Sequence, residues 1–211
     1  MEESVIRDTS QTAAGQAEPV RSDELLIDRF RRGDRSAFGE IVERYKKEMV
    51  NYLYRLVGDA GWAEDLAQDV FLKVYLKADH FRARSKFSTW LYRIAHNRGV
   101  DFLKRRRHEP KLVLTAGSEK TGEVRDFDVV DHRDSPDGET HRGEMEKRIM
   151  GIVEEMDDKY REVFVLCAMK RLSYEDAAEV LDCSVKTVSS RLCRARKFFR
   201  AKVQPFLDVQ I

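Results

Sequence analysis

Two blocks of apolar residues at spacings of three and four, separated by a stretch with very few, constrain this chain more than any other feature. In the first block Phe38, Ile41, Val42, Tyr45, Met49, Tyr52, Leu53 and Leu56 recur at helical intervals, and Leu66, Ala67, Val70, Phe71 and Val74 repeat the pattern. In the second, Ile149, Ile152, Val153 and Met156 precede Val163, Phe164, Leu166 and Cys167. This period lets a helix hold one face against a core, whereas a half-buried strand needs strict alternation. No segment sustains alternation. The expected fold is therefore all-α, with two small helical domains joined by a flexible acidic linker.

Cap residues divide the first block. Ser22 can cap a helix from Asp23 to Arg32, which Gly33 ends; Asp34 can cap the next, which Gly58 ends. Asp59 opens a third helix through about Ala78, and a fourth runs from Ser88 to about Arg107, with Pro110 closing the set. The second helical set is expected from near Gly143 to about Phe206. Residues 1–21 read as a disordered tail, 22–108 as the first domain, 109–142 as linker and 143–211 as the second domain.

Charge follows the same division. Residues 81–107 hold nine Lys/Arg and one acid, Asp101; residues 117–146 hold ten acids and four bases; residues 186–202 hold seven bases and no acid. Two basic segments flanking an acidic one suggest two nucleic-acid contacts joined by a spacer that is repelled from DNA. No run of about 18 apolar residues could cross a bilayer. Met1 to Pro19 is polar and acidic, without the apolar core of a signal peptide, so a cytoplasmic, non-membrane protein is expected. Cys167, Cys183 and Cys193 match no zinc spacing and are expected to be free thiols; no metal or other cofactor is expected.

The sharpest local pattern is Ser173-Tyr174-Glu175-Asp176-Ala177-Ala178-Glu179-Val180-Leu181-Asp182-Cys183-Ser184-Val185-Lys186-Thr187-Val188. Ser173, with Asp176 three residues on, can cap one short helix, and Ser184 can cap another after a tight turn at Asp182-Cys183. That is the plan of a helix-turn-helix. On the second helix Val185, Val188, Leu192, Ala195 and Phe199 share a face. Lys186, Ser190, Cys193 and Lys197 lie opposite, with Ser189, Arg191 and Arg194 on the flanks and Thr187 near the cap. An apolar side to lock the helix and a basic, short-chained polar side to enter a groove are what DNA reading requires.

The first block carries two further constellations. Asp65, Gln68, Asp69 and Leu72 fall at i, i+3, i+4 and i+7, one stripe apart from the apolar one, which suggests a protein partner. From Phe81 to Arg107, aromatic residues interleave with Arg and Lys, as single-stranded DNA binding requires for stacking and phosphate contact. Trp90, Leu91, Ile94 and Phe102 are expected in the core. Phe81, Arg82, Ser85, Lys86 and Asn97 are left as contact candidates.

Three of these segments, Asp65-x-x-Gln68-Asp69-x-Phe71, Phe87-x-Thr89-Trp90-Leu91-x-x-Ile94-Ala95-x-Asn97 and Ser173-Tyr174-Glu175-Asp176-Ala177-Ala178, occur in order. They resemble regions 2.2, 2.3–2.4 and 4.2 of the sigma-70 family, in its small extracytoplasmic-function (ECF) group. The resemblance implies a transcription initiation factor, with core RNA polymerase and promoter DNA as partners and an anti-sigma protein as inhibitor. Asp65, Gln68, Asp69 and Leu72 would dock on the polymerase β′ clamp. Phe81, Arg82, Ser85, Lys86 and Asn97 would capture a flipped base of the minus-10 element, with Arg98, Asp101, Lys104 and Arg105 on adjacent DNA. Lys186, Thr187, Ser189, Ser190, Arg191, Cys193, Arg194 and Lys197 would meet the minus-35 element, and the second domain would hold the β flap. Many relatives carry Arg at the position of Ser189 and a larger residue at Cys193, so the resemblance carries over the docking mode but not the minus-35 sequence read.

Two other readings fit fewer residues. A conventional regulator would use the helix-turn-helix but leave the segment 81–107 and the acidic stripe without purpose. A hydrolase would need His80, His96, His108, His132 and His141 as ligands or acid–base groups, yet they form no i,i+4 pair and no His-Glu-x-x-His motif. Neither an enzymatic activity nor a small-molecule substrate is expected.

Overall fold

The computed structural model describes residues 22–82, 85–108 and 136–207. The tail and most of the linker expected from the sequence lie outside the described residues. Within them the chain is helical and contains no strand: α1 (Asp23–Arg31), α2 (Arg35–Val57), α3 (Ala60–Lys77), α4 (Phe87–His108), α5 (Pro136–Glu154), α6 (Asp158–Phe164), α7 (Tyr174–Val180) and α8 (Val185–Leu207).

The cap chemistry read from the sequence sets the boundaries of the first domain. Ser22 accepts from the Leu25 amide, Asp34 from that of Ser36 and Asp59 from that of Trp62, so each helix starts where an orphan N–H finds a side-chain oxygen. Gly58 ends α2 at φ 76°, a left-handed conformation that costs glycine little. α5 begins at Pro136, ahead of the first apolar period near Gly143; proline suits a first turn, where its missing N–H has no partner to lose. A π-helical turn, Val165–Met169, follows α6, and Arg171 then takes φ 58° to redirect the chain into α7.

In the first domain α2 packs against α1, α3 and α4. Leu26, Ile27, Ile41, Met49, Leu53, Leu56, Val70, Val74, Phe87 and Leu91 are sealed from solvent. α4 crosses α2 closely at Gly99, where a Cβ would come within 2.5 Å of Leu56 Cδ2. In the second domain α8 packs against α5, α6 and α7, burying Val188, Leu192 and Ala195.

The two domains share one continuous core, an arrangement the sequence left open. α7 lies against α4, α5 against α2. Asp176 of α7 accepts from Lys86 Nζ at 2.9 Å and from Thr89 Oγ1 at 2.9 Å. Arg93 pairs with Glu179 at 3.5 Å, and Arg107 with Asp158. Behind these, the buried Arg55 directs a guanidinium N–H at Met169 Sδ, 3.5 Å away, and Arg161 donates to the Leu56 carbonyl at 3.5 Å.

Candidate nucleic-acid interface

The recognition helix α8 is held by the contacts its sequence predicts. Ser173 Oγ accepts from the Asp176 amide at 3.0 Å and Ser184 Oγ from the Thr187 amide at 3.1 Å, capping both helices of the motif. Asp182 takes φ 48° in the turn between them, and the Cys183 amide bonds the Ala178 carbonyl at 3.1 Å. Val188, Leu192 and Ala195 fix the inner face. Lys186, Ser189, Ser190, Cys193, Arg194 and Lys197 are exposed, while Thr187 and Arg191 are half-buried. The Thr187 hydroxyl is shared with Ser184 at 2.8 Å, so it supports the cap, and Arg194 Nη1 reaches the Tyr160 hydroxyl at 3.3 Å. Val185, expected on the apolar face, is 40% exposed.

The segment around α4 divides differently. Phe81 was expected on the contact surface and is instead 2% exposed. Its ring packs against Phe87 and Trp90 at 5.7 and 5.4 Å, with the Arg31 guanidinium over it. A large aromatic ring entering α4 gains more from this cluster than from water, and it meets no base without leaving it. Arg82, Lys86, Asn97, Asp101, Lys104 and Arg105 are exposed; Ser85 and Arg98 are half-buried. Lys86 is tied to Asp176, and this bond raises the lysine above its ordinary value. Burial alone would raise the Asp176 carboxyl, but bonds from Lys86, Ser173 and Thr89 outweigh it and hold the acid below the usual carboxylate range. Arg98 pairs with Asp69 of α3.

On α3, Asp65, Gln68 and Leu72 are exposed and Asp69 is half-buried, so the expected stripe stands at the surface. It runs on into Leu76, 69% exposed, with Tyr75 beside it. The sequence carried the signal for Leu76, since it stands at i+4 from Leu72, but the acidic motif drew attention away from it. Trp62, also half-exposed, packs against Phe102 with ring centroids 5.0 Å apart and the planes tilted by 44°, at the base of α3. Thr89 and Glu179 were missed, and Asp176 was read only as part of a cap, because their role depends on α7 meeting α4, which no local pattern encodes.

His80 is exposed, and the side chains of His108, His132 and His141 lie outside the described residues. His96 is buried, with Nδ1 3.3 Å from the Tyr52 hydroxyl; desolvation pushes it down to about 4. Among the described residues no three His, Cys, Asp or Glu side chains are grouped to hold a metal ion, and no helix is long and apolar enough to cross a membrane.

The sequence matches the family model for Sigma-70 region 2 over residues 41–109 and that for Sigma-70, region 4 over residues 146–199. It is 36% identical over 189 residues to the RNA polymerase sigma-H factor of Pseudomonas aeruginosa, covering 88% of this chain and 95% of that one. The chain belongs to the sigma-70 family. It is also 33% identical over 191 residues to the ECF RNA polymerase sigma-E factor of Haemophilus influenzae, covering 88% of this chain and 97% of the relative. The ECF group is thus its place in the family, and its two regions serve promoter recognition and transcription initiation. Among solved structures, the sigma factor is similar to CnrH in complex with the cytosolic domain of CnrY. That match has a TM-score of 0.62 and 26% identity, covering 90% of this chain and 100% of the other. α2 to α4 carry the region 2 match and α5 to α8 the region 4 match, so both proposed DNA-facing helices lie within recognised regions.

Proposed function

We propose that this sigma factor docks on core RNA polymerase through Asp65, Gln68, Asp69 and Leu72. It would hold the minus-10 element with Arg82, Ser85, Lys86, Asn97, Arg98, Asp101, Lys104 and Arg105, and read the minus-35 element with the outer face of α8. The observation that carries this reading is α8 itself: Val188, Leu192 and Ala195 are sealed in while Lys186, Ser189, Ser190, Cys193, Arg194 and Lys197 all face solvent. Such a surface stands open to an outside partner, and its cations suit phosphate. Leu72 and Leu76, exposed beside carboxylates on α3, favour a protein surface with apolar and basic groups on the other side.

The closed arrangement has to open for this work. Elements 25 base pairs apart are separated by about 85 Å at roughly 3.4 Å per base pair, a span that two domains sharing a core cannot cover. Residues 109–135, if extended, reach about 90 Å at roughly 3.3 Å per residue, so the linker is long enough. The same reading includes a cytoplasmic location, no catalytic activity of the chain's own and an anti-sigma partner; CnrH, the structural relative, was solved with the cytosolic domain of another protein.

The deciding experiment is run-off transcription with core bacterial polymerase on a library of promoter fragments. Transcripts from a discrete promoter class, absent with core alone, are expected. No transcript, together with tight binding of the free chain to one duplex, would replace this reading with that of a conventional regulator. Within it, Asn97→Ala is expected to impair DNA opening while sparing polymerase binding, and Asp65→Ala with Gln68→Ala to lower core affinity in a pull-down.

A further inference from the structure

One ion pair joins the two surfaces that the proposed function assigns to different partners. Asp69 stands in the α3 stripe turned toward polymerase, and Arg98 stands on α4 among the residues turned toward DNA. In the structure the Arg98 guanidinium is bound to the Asp69 carboxylate. Both side chains line a groove between α3 and α4, together with Asp65, Asp101 and Arg105, and Trp62 packed against Phe102 forms part of its wall.

The burial of the pair is uneven. Arg98 retains 27% of its side-chain exposure and Asp69 retains 46%, so the acid is the accessible partner. Arg98 Nε is fully buried with no hydrogen-bond partner, although the guanidinium has five N–H donors to satisfy. A desolvated, unmet donor weakens the hold of this position on Arg98. A competing cation can reach Asp69 from solvent, and a displaced Arg98 gains a place to satisfy the orphaned Nε.

We propose that the Asp69–Arg98 pair couples polymerase docking to DNA binding. In the free chain Asp69 keeps Arg98 from phosphate. When a basic group of the polymerase takes Asp69, Arg98 is released and turns to the DNA backbone. The coupling rests on the polymerase and DNA assignments made above, and it is reciprocal: DNA that captures Arg98 frees Asp69 for the polymerase.

The test uses the full-length chain and a labelled single-stranded DNA 20-mer of mixed sequence, titrated by anisotropy across a range of salt concentrations. Asp69→Asn is expected to tighten binding about fivefold and to steepen the salt dependence by about 0.7, the increment for one more single-strand phosphate contact. Glu64→Gln removes the same charge from an exposed position of α3 outside the groove, and is expected to stay within about twofold with the slope unchanged. In an Arg98→Gln background the Asp69→Asn gain is expected to vanish. An equal gain from Glu64→Gln, or a gain that survives Arg98→Gln, would overturn the proposal.

A second arm compares Arg98→Gln with the parent chain free and bound to core polymerase. The loss is expected to be below about twofold when free and about fivefold when bound. Equal losses in both states would overturn the coupling while leaving Arg98 a DNA contact. Failure of the stripe assignment is read separately, as undiminished core affinity of the Asp65→Ala, Gln68→Ala chain in a pull-down. Absence of single-strand binding by the parent in both states would remove the DNA assignment and the coupling with it.

Discussion

The two helices proposed to meet DNA, α4 and α8, are held in opposite ways. α4 is wedged between α2, α3 and α7, and three of its cations, Arg93, Arg98 and Arg107, pair with carboxylates of other helices. Lys86, just ahead of it, is likewise held by Asp176. α8 rests on one face only, and no ion pair holds its Lys186, Arg191 or Lys197 among the described residues. The difference teaches that an interface can be open or occupied in the same fold. On the proposed function, α8 offers duplex an unoccupied face, while the α4 surface would first have to give up internal partners. Substitutions at the paired residues of α4 should therefore register in the stability of the free chain, and those on the outer face of α8 in its binding.

The largest expected effect uses pH. His96 on α4 is held down to about 4 by burial, against an ordinary value near 6.5, so between these values the unfolded chain binds a proton that the folded chain refuses. This contribution to stability is complete above pH 6.5 and is lost as pH falls toward 4, by about 3 kcal/mol. Denaturant titrations at pH 7, 5.5 and 4.5 should show that loss in the parent and a flatter profile in His96→Gln. Parallel profiles would remove His96 as the cause.

Gly99→Ala comes next. The added methyl would meet Leu56 Cδ2 at 2.5 Å, and Leu56 is itself buried, so its side chain or the α2–α4 crossing has to shift. A loss of about 1–3 kcal/mol is expected, although alanine favours a helix over glycine. Ser189→Ala on the outer face of α8 should stay within about 0.5 kcal/mol. Equal thermal shifts in the two variants would break the contrast between the helices.

Asp176→Ala should cost about 1–2 kcal/mol, because it strips support from the α7 cap and leaves the Thr89 hydroxyl, 1% exposed, without its acceptor. Faster proteolysis between the domains should accompany the loss; an unchanged digestion pattern would show that the shared apolar core alone holds them together. The smallest effect compares two lysines. Lys197→Ala should lower duplex affinity severalfold and reduce the salt slope by about 0.9, whereas Lys86→Ala should change binding by the free chain less than about twofold. Equal losses would mean that Asp176 does not occupy Lys86.

Much of this was legible before any fold was known. Ser22, Asp34, Asp59, Ser173 and Ser184 announce helix starts because a cap acts on amides two or three residues away. The buried residues of α3 and the inner face of α8 follow from a period of 3.6. Phe81 shows the limit. Its basic, aromatic surroundings looked like a contact surface, and only the positions of Phe87, Trp90 and Arg31 turn its ring inward.

The sequence by itself determined the all-α class, the helix boundaries of the first domain, the helix-turn-helix and the family, since each rests on neighbours a few residues apart. Tertiary structure alone decided that α7 closes on α4, that Asp176 holds Lys86 and Thr89, and that Asp69 holds Arg98. Those partners are 29 to 90 residues apart along the chain. Periodicity shows which face of a helix seeks burial, but which other face it meets depends on the packing of the whole molecule.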